Sequence, residues 1–355
     1  MKIAIDARMW NETGIGRYIR NLVLGLEKIN LSDDFYILLL EPEYKSLDFR
    51  ENFHKIKADF SWYGLTEQIK LPIILNKISP DIFHAPNINI PIFYSGKMLV
   101  TVHDLIMLKS YEYPSLKRKV KRVLLDLILK IGLRKAFKIV TVSEYVKNDV
   151  VNTFQIGSEK INVVYNSVEF SGSQVDKNTV VGDYILYVGN TYGHKNVEFL
   201  VRSIDKIGKK LVIVGKEDEN IKRLKQLVQD KNLTGKVKFT GYVNDQELNR
   251  LYSEAYAFVF PTLDEGFGLP GLEAMYHGCP VVCSDIEVLR EIYKDGSLYF
   301  EPNNLVELRT KLDLLSNNQY RAQMINKGYE IVAKYNNKKF IEETLKIYIK
   351  NASYK

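Results

Sequence analysis

Cysteine is nearly absent: the chain has two, Cys279 and Cys283. They flank one apolar strand with a spacing that suits neither a disulfide motif nor a zinc site, so they read as small core residues in a reducing compartment. No stretch reaches the roughly 18 uninterrupted apolar residues of a membrane-spanning helix. No secretory leader is legible, because the opening strand runs straight into Asp6 and Arg8. Tandem repeats and low-complexity tracts are missing too. What is left is an ordinary globular chain, expected in the cytoplasm, and 46% hydrophobic with 26% charged residues agrees with that.

At 355 residues the chain exceeds a usual single core and points to two domains. Strand and helix patterns alternate throughout. First-half strands are predicted at 2–6, 36–40, 81–84, 98–102, 139–142 and 162–164. Polar, aperiodic sequence at 167–178 marks a linker. Second-half strands follow at 184–188, 211–214, 237–240, 257–260, 280–283 and 298–300. The expected division is 1–168 and 169–335, with 336–355 a closing helix able to pack back on the first domain. The expected fold class is α/β: two doubly wound Rossmann-like domains facing each other across a cleft, with ligands at the strand C-termini.

The net charge of +7 is unevenly placed. Residues 1–168 hold 24 Lys+Arg against 18 Asp+Glu, leaving only +1 for the remainder. Nine basic residues and one acid, Asp126, fall within 115–138. Between them Val120, Val123, Leu124, Leu127, Ile128 and Ile131 recur at helical spacing. The expectation is a surface helix that packs this stripe on the sheet while its charged flanks meet an anionic membrane. Nucleic acid is not expected, because the basic residues sit on one helix without interleaved aromatics.

The stretch from Phe260 to Ser284 organises the rest. Glu265 and Glu273 bracket Gly266-Phe267-Gly268-Leu269-Pro270-Gly271-Leu272, between a short apolar strand and a helix that Pro270 suits at its first turn. Such a loop sets two carboxylates and free helix N–H groups at a strand end. Carboxylates hold vicinal hydroxyls and helix N-termini hold phosphate, so a nucleotide sugar is a fitting ligand. From spacing alone, an ordinary loop with two solvated glutamates fits equally. A glycine turn at Gly14 and Gly16 opens a helix in the first half, but lacks the third glycine of a dinucleotide fingerprint and the lysine of a P-loop. His103 and Asp104 end a strand there, and Lys195 lies in the loop after the first strand of the second half.

Taken together, these segments resemble the retaining nucleotide-sugar glycosyltransferases of the two-Rossmann-domain (GT-B) type, in the large family four of that class. The matching segments run from Thr13-Gly14-Ile15-Gly16-Arg17-Tyr18 through Val102-His103-Asp104-Leu105 and Val140-Thr141-Val142-Ser143-Glu144 to Val164-Tyr165-Asn166. They continue with Tyr187-Val188-Gly189-Asn190, His194-Lys195-Asn196 and Phe239-Thr240-Gly241-Tyr242-Val243, then Glu265 to Pro270, Glu273-Ala274-Met275 and Gly278 to Ser284. The Glu-x7-Glu segment is the most specific of them.

The resemblance implies that Glu273 holds the ribose and Glu265 the donor sugar, approached by N–H groups of Gly266, Phe267 and Gly268, with Leu269 beside them. It gives Lys195 to the diphosphate, with Asn190 and His194 adding hydrogen bonds, and Thr240, Gly241 and Val243 to the base. Gly14 and Gly16 would close on the phosphates, and His103 would face the reacting carbon. No cofactor and no metal are expected, since protein cations meet the phosphates and no DxD-like dyad or metal-spaced cluster is present. One departure is plain: the Arg that such proteins often carry early in the Lys195 loop is missing, with Asn190, Thr191 and Tyr192 in its place. The overall pattern, including Glu67-Gln68, is most similar to members using GDP-mannose, with a polysaccharide or lipid-linked glycan as acceptor. UDP-hexose and deoxysugar donors stay open, as do a nucleotide-sugar epimerase or phosphorylase and a non-catalytic sugar-nucleotide-binding subunit.

Overall fold

The computed structural model describes residues 1–29, 32–109, 116–168 and 182–352. Most of the linker expected at 167–178 lies outside them. The chain divides into two compact units, one of Met1–Glu169 with Tyr335–Lys355 and one of Phe170–Lys334.

The first unit holds seven parallel strands: β1 (Lys2–Asp6), β2 (Asp34–Leu39), β3 (Phe53–Lys57), β4 (Ile82–Ala85), β5 (Met98–Val102), β6 (Lys138–Thr141) and β7 (Ile161–Val163). Their order is β3-β2-β1-β4-β5-β6-β7. Neighbours are joined in parallel register, as where Ile3, Ala4 and Ile5 face Ile82, Phe83 and His84. Strand β1 is central and buried beyond its first residue, which is why it reads as an unbroken apolar run. Strand β3 was not anticipated from sequence: its Phe-His-Lys-Ile-Lys has two apolar residues, enough only because it closes the sheet's edge. The closing helix, Asn337–Ala352, packs Phe340, Ile341 and Tyr348 into this unit's core. It crosses the helix Gly14–Glu27 at Gly25, where a Cβ would stand 2.7 Å from Ile341.

The basic helix spans Leu116–Lys135, but its stripe is not the one expected. Leu129 and Leu133 are fully buried, with Gly132 between them set against Ile90, whereas of the expected stripe Val123, Leu127 and Ile131 are exposed and Ile128 is half-buried. The side chains of Val120 and Leu124 lie outside the described residues. A helix with apolar residues on two faces satisfies the 3.6-residue period twice, and the face carrying the small residue is the one that packs closely on Ile90.

The second unit repeats the plan with six parallel strands: β8 (Tyr184–Val188), β9 (Lys210–Val214), β10 (Val237–Gly241), β11 (Ala257–Phe260), β12 (Val281–Ser284) and β13 (Ser297–Phe300). Their order is β10-β9-β8-β11-β12-β13. The order reverses direction between β8 and β11, which is where doubly wound sheets bind ligands. Cys279 and Cys283 are buried free thiols, and burial pushes each thiol up to about 12. Among the described residues no helix is long and apolar enough to cross a membrane.

Candidate active site

Two loops meet where β8 and β11 lie side by side. After β8 the chain makes a single 3-10 turn, Gly193–Lys195, before the helix Val197–Ile207. The loop after β11 leads into the helix Leu269–Tyr276, with Gly268 at its N-cap in the left-handed region (φ 91°) and Pro270 in the first turn. Three hydrogen bonds fasten the loops together: Leu263 N–H (2.7 Å) and Thr262 Oγ1 (3.2 Å) both donate to the His194 carbonyl, and Asn196 Nδ2 donates to that of Pro261 (3.2 Å). The result brings Lys195 Nζ to 2.5 Å from Glu265 Oε1, with the side chains only 15% and 10% exposed.

Buried tyrosines support the same loops from beneath. Tyr293 Oη donates to the Gly268 carbonyl. It leaves so little room that a Cβ on Gly271 would lie 2.3 Å from the phenol oxygen. Tyr187 Oη donates to the Asn190 carbonyl (2.5 Å), and Tyr252 Oη to Glu273 Oε2 (3.1 Å). Burial, with the Glu265 charge adding to it, holds Tyr187 and Tyr293 well above the ordinary phenol range, so both remain donors. Beyond Glu273, His277 stacks on Tyr252 at 5.8 Å and is pushed down to about 4 by burial. His194 is likewise lowered to about 4, by burial and then by Lys195, so it is neutral at physiological pH. Lys195 is then the permanent cation of its loop.

The predicted base contacts stand further along the sheet. Thr240 and Gly241 end β10, and Val243 follows half-buried. Gly241 is left-handed (φ 73°), and its carbonyl accepts from Gly215 N–H at 3.3 Å. A Cβ on Gly215 would lie 2.4 Å from the Gly189 carbonyl, so Gly189, Gly215 and Gly241 line three adjacent strand ends. Gly215 went unnoticed in the sequence; its signal was a glycine directly after the apolar run of β9. Thr191 is a second addition. It is buried in the Lys195 loop and its Oγ1 has no partner among the described residues.

In the first unit, Gly14 and Gly16 form the opening turn of the helix Gly14–Glu27. A Cβ on Gly16 would meet the carbonyls of Trp10 at 2.6 Å and Met9 at 2.8 Å, while one on Gly14 would meet nothing. One turn on, Tyr18 sets its ring edge-on to His103 at 4.8 Å. His103 Nε2 donates to the Pro86 carbonyl at 2.9 Å. Burial lowers this histidine further than that bond and Asp104 raise it, so the ring is neutral with Nδ1 unprotonated. Asp104 caps a turn through Ile106 N–H (3.0 Å). His84 lies inside the fold, Nδ1 2.6 Å from Tyr348 Oη and Nε2 2.9 Å from Thr101 Oγ1.

A buried charge network at the end of β1 was missed from sequence. Arg8 donates to both carboxylate oxygens of Asp6 (2.8 and 2.6 Å) and to Glu67 Oε1 (2.5 Å), and Asn89 Nδ2 bridges Asp6 and Glu67 at 2.9 Å each. Charged residues immediately after a buried strand were its signal. Glu67 therefore ties together the loops after β1 and β4. Among the described residues no three His, Cys, Asp or Glu side chains come together as a metal site.

Two parallel-sheet Rossmann-like units with loops of this kind define the GT-B class of glycosyltransferases, and whole-chain likeness agrees. Sucrose-phosphate synthase from Thermosynechococcus elongatus matches with a TM-score of 0.80 at 18% identity, over 99% of this chain and 98% of that one. Anabaena HepE in complex with UDP-glucose matches at 0.76 and 15%, over 99% and 100%.

The chain belongs to the glycosyltransferases described as "Glycosyltransferase Family 4", matched over residues 13–171, and "Glycosyl transferases group 1", matched over 176–331. It is 33% identical over 245 residues to the O-antigen chain mannosyltransferase RfbU of Salmonella typhimurium, covering 68% of this chain and 67% of that protein. It is 28% identical to O-antigen chain mannosyltransferase B of Escherichia coli over 326 residues, 82% and 84% of the two chains. The chain is a glycosyltransferase.

Proposed function

We propose that this enzyme moves a mannosyl group from GDP-mannose, with retention at the anomeric carbon, onto a polysaccharide or lipid-linked glycan. The supporting observation is the Lys195–Glu265 pair, a cation and a carboxylate held together between two adjoining strand ends, in a chain whose relatives are named O-antigen mannosyltransferases.

The chemistry follows from charge. As the anomeric C–O bond breaks, negative charge grows on the diphosphate and positive charge on the sugar ring. Lys195 is assigned the first, with Asn190, His194 and the glycine turn at Gly14 and Gly16 adding donors. Preorganised electrostatics of this sort is usually the largest catalytic contribution. Glu265 is assigned the sugar hydroxyls, with N–H groups of Gly266, Phe267, Gly268 and Leu269 beside it. Glu273 is assigned the ribose, and Thr240, Gly241 and Val243 the base. His103, neutral and with Nδ1 able to accept, is assigned the reacting face. In the retaining reaction the acceptor attacks on the face that the leaving phosphate vacates, and that phosphate takes the acceptor's proton. Neither a separate base nor a metal ion is required. The enzyme is placed in the cytoplasm, at the inner face of the membrane, with the basic helix Leu116–Lys135 touching anionic lipid.

A thermal-shift screen with GDP-mannose, UDP-glucose and a TDP-deoxysugar tests the donor, because a ligand bound only by the native state raises the melting temperature. GDP-mannose should give the largest rise; a larger rise with a UDP- or TDP-sugar would replace the mannosyl assignment. NMR of the product then reads retention directly, as an α-linked sugar from the α-linked donor.

A further inference from the structure

We propose that the first unit docks on an anionic lipid surface through a composite face: the helix Leu65–Ile78, the segment 90–93 and the helix Leu116–Lys135. This deepens the peripheral contact proposed above and is independent of the donor assignment.

The helix Leu65–Ile78 is built against the usual pattern. Besides burying Leu71, Pro72 and Leu75 it turns Glu67 inward to Arg8, and it leaves Leu65, Ile69 and Ile73 outside, at successive i, i+4 positions. The helix Leu116–Lys135 does the same with Val123, Leu127 and Ile131. These six side chains, with Phe93, are between 42% and 86% exposed. Isolated exposed apolar residues are ordinary; two helical stripes bordering one segment are not.

Hydrogen bonds show that the stripes border that segment. Gln68, flanked by Leu65 and Ile69 on its helix, donates to the Ile90 carbonyl (3.0 Å) and accepts from Ile92 N–H (2.9 Å). Lys135, which continues the second stripe four residues past Ile131, donates to the Ile92 carbonyl (2.9 Å). Gly132 lets that helix settle on Ile90. Phe93 projects just beyond the join.

Charge selects the occupant. The exposed charges described on the two helices are Lys70, Lys77, Lys130, Arg134 and Lys135, against Asp126. Two copies of so cationic a face repel each other. A bilayer with anionic headgroups meets the cations and takes the apolar side chains into its headgroup–acyl boundary.

The test uses the full chain and co-sedimentation with vesicles of phosphatidylglycerol and phosphatidylcholine in equal parts, against phosphatidylcholine alone. Two double variants keep every charge: Ile69→Asn with Ile73→Asn, and Leu127→Asn with Ile131→Asn. The expected result is binding to the anionic vesicles only, weakened at least about fivefold by either variant, with unchanged melting temperatures. Wild-type-like binding by the Ile69/Ile73 variant would overturn the composite face, reducing it to one helix. So would a wild-type chain that binds neither vesicle, or a concentration-dependent dimer in sedimentation velocity that either variant abolishes. Vesicle binding needs no donor and no turnover, so its failure leaves the transferase assignment standing.

Discussion

Lys195 Nζ and Glu265 Oε1 stand 2.5 Å apart although 70 residues separate them in the chain. Their proposed duties differ, diphosphate for the lysine and sugar hydroxyls for the glutamate, yet in the structure each holds the other. The pair keeps both side chains in place, and under the proposed roles donor binding would exchange partners within the same few ångströms. Replacing Lys195 with Ala leaves the Glu265 carboxylate without its cation in a mostly buried position. We expect a stability loss of about 1–3 kcal/mol in urea unfolding and a fall in kcat of about 100-fold or more. A Lys195→Ala protein with wild-type kcat would remove the lysine from the reaction.

The two glycines of the first unit's turn are expected to behave differently. Gly16→Ala forces a methyl group into the Trp10 and Met9 carbonyls and should cost about 1–3 kcal/mol. Gly14→Ala has open space and should be neutral, or stabilising by a few tenths of a kcal/mol. Denaturation of the two variants side by side reads this difference, and equal effects would contradict the contact geometry.

Tyr293 lies wholly inside the second unit, and its hydroxyl fixes the Gly268 carbonyl just ahead of the helix that carries Glu273. Tyr293→Phe keeps the ring and removes that bond. About 1 kcal/mol of stability should be lost, and the donor Kd should rise about fivefold if all of that energy holds the loop in its binding shape, or about twofold if half of it does. Calorimetric titration with the donor measures it. An unchanged Kd would make the tyrosine a purely structural support.

His84 makes stability depend on pH. Burial lowers it to about 3, against about 6.5 when unfolded. Above pH 6.5 both states are neutral and the group adds no pH dependence. As pH falls from 6.5 towards 3 the unfolded chain takes up a proton that the folded chain refuses, so stability declines, by about 2 kcal/mol at pH 5. Urea unfolding at pH 7 and pH 5 should show a smaller decline in His84→Gln than in the wild type. Equal declines would mean that His84 becomes protonated inside the fold.

Much of this was legible in the sequence, for identifiable reasons. Buried parallel strands are continuous apolar runs, so β1, β5, β8 and β11 were found almost to the residue. Pro270 and Gly278 bracket the Glu273 helix through local backbone rules, and Gly278 is left-handed as a helix stop requires (φ 68°). Contacts between distant segments were not legible. Nothing in the Lys195 loop announces that it will be tied to residues 261–263, nor in Glu67 that it will turn inward to Arg8. Edge strand β3 failed because an edge needs few apolar residues. The outward stripe on the basic helix failed because two faces of that helix were equally apolar.

Sugar transfer by Glu265→Ala, measured with GDP-mannose and a glycan acceptor at saturating donor, tests the donor site most directly. The variant should retain the wild-type fold by circular dichroism and lose transfer by at least about 100-fold. Turnover near the wild-type rate would contradict the role given to Glu265, and with it the reading of the paired strand ends as the place where the donor sugar is held.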